Sequence, residues 1–192
     1  YLAMVLVTAV NRPTDWGPWG EALLGAGALL LVAAAVLGRI WCSVFIAGRK
    51  DAELVVAGPY ALCRHPLYSL SLLGALGLGF ASRSATLTLA TLLLLGWLVR
   101  RAAIAEEAFL AARHGAAFAA YLAGTPRFLP LDWLRLGSRG RARALPASLE
   151  VKPPVLWKAF VDAGAFMLLW ALVEAARALQ SNGALPGWLA LP

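Results

Sequence analysis

Residues 67–99 read LYSLSLLGALGLGFASRSATLTLATLLLLGWLV. Two apolar runs of about 15 residues, Leu67 to Ala81 and Ala85 to Val99, are parted only by Ser82-Arg83-Ser84. A bilayer-spanning helix needs about 20 mainly apolar residues, and a turn of flanking sequence starting at Pro66 brings each run close to that length. So short a linker makes the pair an antiparallel hairpin. Neither run carries a charged residue. Along the first, Ser71, Ala75 and Gly79 recur every four residues, the small-residue stripe that lets helix backbones approach closely in lipid; a lipid tail is expected to enter beside it.

Outward from the hairpin, Trp19 to Leu37 forms a third apolar run, closed by Gly38 and Arg39 and holding only Glu21 near one end. Tyr1 to Val10 is apolar but short and lacks the basic region and cleavage site of a signal peptide, so it reads as the end of a helix begun earlier. Val155 to Leu179 is apolar at its centre, Ala163 to Val173, with Lys158 and Asp162 at i,i+4 spacing. It is compatible with spanning, tilting or lying in the interface. The expectation is an all-α, polytopic integral membrane helical bundle, one domain over 1–192. Its spans fall near 1–11, 19–38, 66–81 and 85–100, with 155–179 undecided. Composition agrees: 61% of the 192 residues are hydrophobic and 14% charged, against roughly 45–50% and 25% in soluble domains.

Seventeen Lys and Arg against ten Asp and Glu give a net charge of +7. With Arg39 on the cytoplasmic side, Arg49, Lys50, Arg64, Arg100, Arg101, Arg113 and Arg127 fall there too. Arg12 and Arg83 lie outside, which satisfies the positive-inside rule. The excess therefore marks loops, not a nucleic-acid partner, and the polar stretches 39–66 and 100–154 face the cytoplasm. The basic tract 135–152 is expected to meet anionic headgroups. Ala, Leu and Arg usage fits a bacterial inner-membrane protein. Cys42 and Cys63 have the spacing of neither a metal site nor a disulfide framework and are expected as free thiols. No obligate protein partner is signalled.

Three polar clusters carry the chemistry. Gly58-Pro59-Tyr60 reads as a turn, followed by Arg64-His65-Pro66-Leu67-Tyr68, with Pro66 at a helix's first position. A helix N-terminus favours an anion or a neutral histidine there. Glu106-Glu107 follows Arg100-Arg101; in a continuing helix Glu107, Leu110, His114, Phe118 and Tyr121 share one stripe. Adjacent carboxylates repel unless cations lie nearby. Thr125-Pro126-Arg127-Phe128-Leu129-Pro130 is a rigid exit from that helix. Each alone has a bland reading: a topogenic arginine with an aromatic anchor, a solvated acidic pair, a helix stop.

In this order and spacing, over about 39–130, the residues resemble the isoprenylcysteine carboxyl methyltransferase and phospholipid methyltransferase superfamily, bacterial branch. The resemblance implies S-adenosylmethionine bound at the cytoplasmic face without a Rossmann domain, and no Gly-x-Gly-x-x-Gly opens a helix here. Matched positions imply cofactor contacts from Glu53, Leu54, Val55, Tyr60, Arg64, His65, Pro66, Leu67, Tyr68 and Glu106. Helix-start N–H groups and His65 suit the methionyl carboxylate, Glu106 the ammonium or ribose hydroxyls, and the two tyrosines the adenine or sulfonium. Ala102 stands where prenylcysteine methyltransferases place an arginine, with Arg101 one position away. A carboxylate or thiolate acceptor needs only an orienting cation, Arg101 or Arg127. An amine needs a base, Glu107 or His65. The expected activity is methyl transfer to a membrane lipid or prenylated acceptor. The alternatives are phospholipid N-methylation, methylation of a small thiol, or a non-catalytic scaffold or transporter subunit, although uncharged spans disfavour ion-coupled transport.

Overall fold

The computed structural model describes residues 15–47, 53–128 and 153–181. The expected span at 1–11, the basic tract 135–152 and residues 129–130 of the proline-bounded exit lie outside the described residues. Helices make up 87% of those described, with no strand among them. In order they are α1 (Gly17–Ile46), α2 (Pro59–Leu62), α3 (Pro66–Ser82), α4 (Ala85–Gly124) and α5 (Pro153–Ser181). α1, α4 and the Leu156–Gln180 part of α5 are long and apolar enough to cross a membrane; α3 is apolar but shorter. Its 17 residues rise about 25 Å against a hydrocarbon core of about 30 Å. The chain is an all-helical integral membrane protein.

α1 runs past Gly38 and Arg39, where the sequence suggests a stop. The Arg39 guanidinium is accommodated by α3, donating to Ser71 Oγ at 2.6 Å and to the Leu67 carbonyl at 3.4 Å. α4 runs far beyond its apolar half because the following residues, rich in Ala, Glu, Leu and Arg, are good helix formers. α5 begins on Pro153-Pro154, which suit a first turn.

The chain divides into two compact units. The first takes the described residues to Val36, Leu72–Gly96 and Asp162 onward. Its core joins Val32, Leu78 and Phe166 in one cluster and Ala28, Ala81 and Val173 in another, with Trp170 packed against both. A side chain at Gly74 would collide with the Phe166 ring, so α3 and α5 approach through that glycine. The small-residue stripe is filled by the protein itself: Ser71 holds Arg39, Ala75 is fully buried, and Gly79 lies against Thr88. A lipid tail has no room along it, contrary to the sequence expectation.

The α3–α4 turn is built by its own side chains. Arg83 takes a left-handed backbone (φ 54°), and its Nη1 donates to the helix-end carbonyls of Phe80 and Ala81 at 2.9 and 3.1 Å. Ser84 Oγ accepts from the Leu87 N–H and caps α4. Arg83, 5% exposed, also meets Glu21 at 3.2 Å and Glu174 at 3.1 Å, and Arg177 bridges the same two carboxylates. Two acids and two bases from α1, the turn and α5 thus neutralise one another. This settles how α5 carries charge near its end: Glu174 and Arg177 have partners inside the unit.

Removing a buried member of such a network strands charge, typically at a cost of about 3 kcal/mol. Arg83→Leu is therefore expected to lower the thermal unfolding midpoint of the detergent-purified protein clearly. Arg83→Lys should lower it too, since one ammonium cannot serve two carboxylates and two carbonyls.

Candidate functional site

The second unit, Leu37–Ser71 with Trp97–Val161, holds most of the polar residues singled out above. Its apolar centre is Cys42, Phe45 and Tyr60, with Val55, Leu67 and Leu70 against it. Gly58 precedes α2 at φ 59°, and a Cβ there would overlap the Phe45 ring. Only glycine meets both demands. α2 ends at Cys63, and Arg64 and His65 lead into Pro66, so His65 stands at the head of α3, its carbonyl accepting from Ser69 N–H.

His65 is held on every side. Its backbone N–H donates to the Arg127 carbonyl at 3.0 Å, and that of Arg64 to the Pro126 carbonyl at 2.8 Å. The ring stacks on Tyr68 (5.4 Å, 20°) and tilts against Phe128. Nδ1 lies 3.4 Å from Glu106 and Nε2 3.1 Å from Glu107. The two carboxylates are the anions that the start of α3 calls for.

Glu107 is buried and takes three partners. Arg127 grips it bidentately at 3.0 and 2.7 Å, Arg64 approaches to 3.4 Å, and His65 completes the shell. Burial alone would raise its pKa; the Arg127 bonds, the Arg64 charge and the His65 bond outweigh that and hold the carboxyl below its ordinary range. Glu106 is different: its side chain is 34% exposed, and it accepts from the Tyr68 hydroxyl besides facing His65. Tyr60 is buried, its Oη has no hydrogen-bond partner, and its carbonyl accepts from Tyr121 Oη at 2.6 Å. Burial, with the nearby Cys42 and Glu106, pushes its phenol far up, so it stays a hydrogen-bond donor.

Arg127 reaches Glu107 because α4 folds back. A straight helix from Glu107 to Gly124 would carry the chain about 25 Å away. Between them Gly115 adopts φ 49°, ψ −119°, a conformation for glycine, and the two helical stretches meet there at a kink. Phe118 and Tyr121 are buried on the returning stretch.

The structure thus gathers Tyr60, Arg64, His65, Pro66, Tyr68, Glu106, Glu107 and Arg127. Val55 and Leu67 line the adjoining apolar centre, and Leu54 is half-buried. Glu53 is exposed. Arg101 is exposed as well and lies over the Trp97 ring, 5.3 Å from its centroid, away from the cluster. Sequence reading missed the Tyr121 bond to Tyr60 and the pairing of Arg127 with Glu107. Gly115, a glycine in the middle of that helical run, was the available signal for both.

Residues 19–117 match the phospholipid methyltransferase family. Over 131 residues, 67% of this chain and 61% of the relative, the chain is 39% identical to the nickel-cobalt-cadmium resistance protein NccN of Alcaligenes xylosoxydans xylosoxydans. Over 130 residues, 67% of this chain and 60% of the relative, it is 39% identical to the cobalt-zinc-cadmium resistance protein CzcN of Cupriavidus metallidurans. The chain spans about three-fifths of the length of these curated relatives. No solved structure matches it.

Because the folded Glu107 pKa lies below the ordinary carboxylate value of about 4.3, its interactions stabilise the fold above that value and are lost as pH falls through the lower one. Thermal unfolding followed across acid pH should show this limb, and Glu107→Gln should weaken it. Gly115→Ala meets no neighbour within 4 Å, so its penalty is backbone strain alone. It is expected to cost about 1–3 kcal/mol, read as a lower unfolding midpoint.

Proposed function

The chain belongs to the phospholipid methyltransferase family, and on that premise we propose that it transfers a methyl group from S-adenosylmethionine to a lipid-like or prenylated acceptor at the cytoplasmic face of a bacterial inner membrane. The observation that carries the reading is Glu106: a partly exposed carboxylate, fixed by His65 and Tyr68, beside the unpartnered phenol of Tyr60. These groups fit a cofactor bearing an ammonium, a sulfonium and ribose hydroxyls. Glu106 would hold the ammonium or ribose, Tyr60 Oη would donate to a lone pair, and the Tyr68 ring would face the cation. When bound, the cofactor supplies an electrophilic methyl carbon.

His65 enters this reading as the residue that orients Glu106. Both its ring nitrogens face carboxylates, so it is a poor candidate for the methionyl carboxylate. Arg64 and Arg127 fix Glu107, and Glu107 fixes His65. Leu54, Val55, Pro66 and Leu67 supply apolar walls; Glu53 rests on its matched position alone. Glu107, with its lowered pKa, is a weak proton acceptor. An acceptor that arrives as a nucleophile, a carboxylate or thiolate, therefore suits the site better than an amine that must lose a proton. Of the two arginines considered for orienting such an anion, Arg127 stands at the cluster with a third of its side chain exposed. The names of the matched relatives support a physiological setting in metal resistance, served by this methylation.

Titration calorimetry of the detergent-purified protein with S-adenosylmethionine tests the proposal. Wild type should bind saturably, and Glu106→Gln should weaken binding roughly tenfold to a hundredfold, the worth of a charge-assisted hydrogen bond. Transfer of labelled methyl should then favour prenylated thiol or carboxylate acceptors over phosphatidylethanolamine. A folded wild type that binds no cofactor would overturn the reading.

A further inference from the structure

Arg101 stands out because it does not face the glutamates beside it in sequence. In α4, Val99, Ala103 and Glu107 form the buried face, whereas Trp97, Leu98, Arg100, Arg101 and Ile104 are exposed. At about 100° per residue, Arg100 lies about 60° to one side of Trp97, Arg101 about 40° to the other, and Ile104 one further turn along the same edge. Glu106 lies on the opposite side of the helix, about 180° from Trp97. Among the described residues neither Arg100 nor Arg101 has a carboxylate within salt-bridge distance. The residues that precede Trp97 in α4, Ala85 to Gly96, carry no charge. Along one helix edge the chain therefore passes from an uncharged segment to an aromatic ring to two adjacent cations.

We propose that this edge, Trp97 with Arg100 and Arg101, binds the headgroup of an anionic phospholipid. The polarity sequence matches that of a lipid entering the interface: acyl chains, then the glycerol region where indole rings settle, then the phosphate. Two neighbouring guanidinium groups repel until an anion sits between them. The stacking of Arg101 on Trp97, 5.3 Å from Cζ to ring centroid, restrains the guanidinium while leaving its N–H edge free. A planar fork so restrained can donate two parallel bonds to a phosphate. Among the described residues no exposed acid lies on this edge, Glu107 beyond it being buried, so a headgroup of net negative charge is preferred over one that carries its own ammonium. The site is separate from the Glu106 cluster and does not depend on the methyl-transfer reading.

Native mass spectrometry of the full chain, released from detergent with equal amounts of phosphatidylglycerol and phosphatidylcholine, tests this. At about 1 kcal/mol per basic residue near the surface, wild type should retain phosphatidylglycerol roughly tenfold or more over phosphatidylcholine. Arg100→Gln/Arg101→Gln should bring the two lipids near parity. Trp97→Leu and Arg101→Lys should each reduce the preference in part, and raised salt should narrow it. All three positions are exposed, so an unfolding midpoint close to wild type confirms that each variant is folded. Equal retention of the two lipids by wild type, or a preference that survives the double substitution, means ordinary annular lipid and overturns the proposal. So does a dimer that covers this edge and carries no lipid.

Discussion

Glu107 is a carboxylate with less than a tenth of its surface exposed, and the second unit is arranged around that burial. A buried charge is tolerated only when it is paired and hydrogen-bonded. Here the partners of this mid-helix carboxylate are drawn from two separate stretches: Arg64 and His65 ahead of α3, and Arg127 beyond α4. Satisfying it fixes the loop before α3, forces the return of α4 at Gly115, and sets the His65 ring against Tyr68 and Phe128. Glu106, one residue away, faces the same His65 ring and accepts from the Tyr68 hydroxyl, with a third of its side chain exposed. One glutamate holds the architecture, and in the proposed reading its neighbour meets the cofactor.

A second neutral network does comparable work in the first unit. Arg83, Glu21, Glu174 and Arg177 tie the start of α1, the α3–α4 turn and the end of α5. The same rule applies: charges near the end of an apolar helix persist because they meet opposite charges from distant stretches. Close helix contacts through Gly74 and Gly79 bring the backbones near enough for the side chains to reach.

The apolar helices were legible because length and hydropathy are local properties; the hairpin around Ser82-Arg83-Ser84 needs no partner to be read. The ordered polar clusters were legible as a set, and most of their members converge. What could not be read is pairing across long separations. The charge of Glu174 near the end of α5 is met by Arg83, 91 positions earlier. The nearness of Arg127 to Glu107 turned on the fold-back at one glycine, since a continuous helix would have left it far away. The small-residue stripe was real, but its occupants, Arg39 and Thr88, lie on other helices.

The pairing of Arg64 and His65 with Pro126 and Arg127 also sets an order of events during synthesis. His65 leaves the ribosome 62 residues before Arg127. At roughly 5–20 residues per second, its backbone N–H at the head of α3 waits about 3–12 seconds for the Arg127 carbonyl it will bond. Within that interval the Ser82-Arg83-Ser84 turn and the apolar first half of α4 are made, and every contact of that turn except those to α5 precedes it in the chain or lies within it. A chain arrested before Arg127 would hold Arg64, His65 and Glu107 but lack the bidentate partner of that carboxylate.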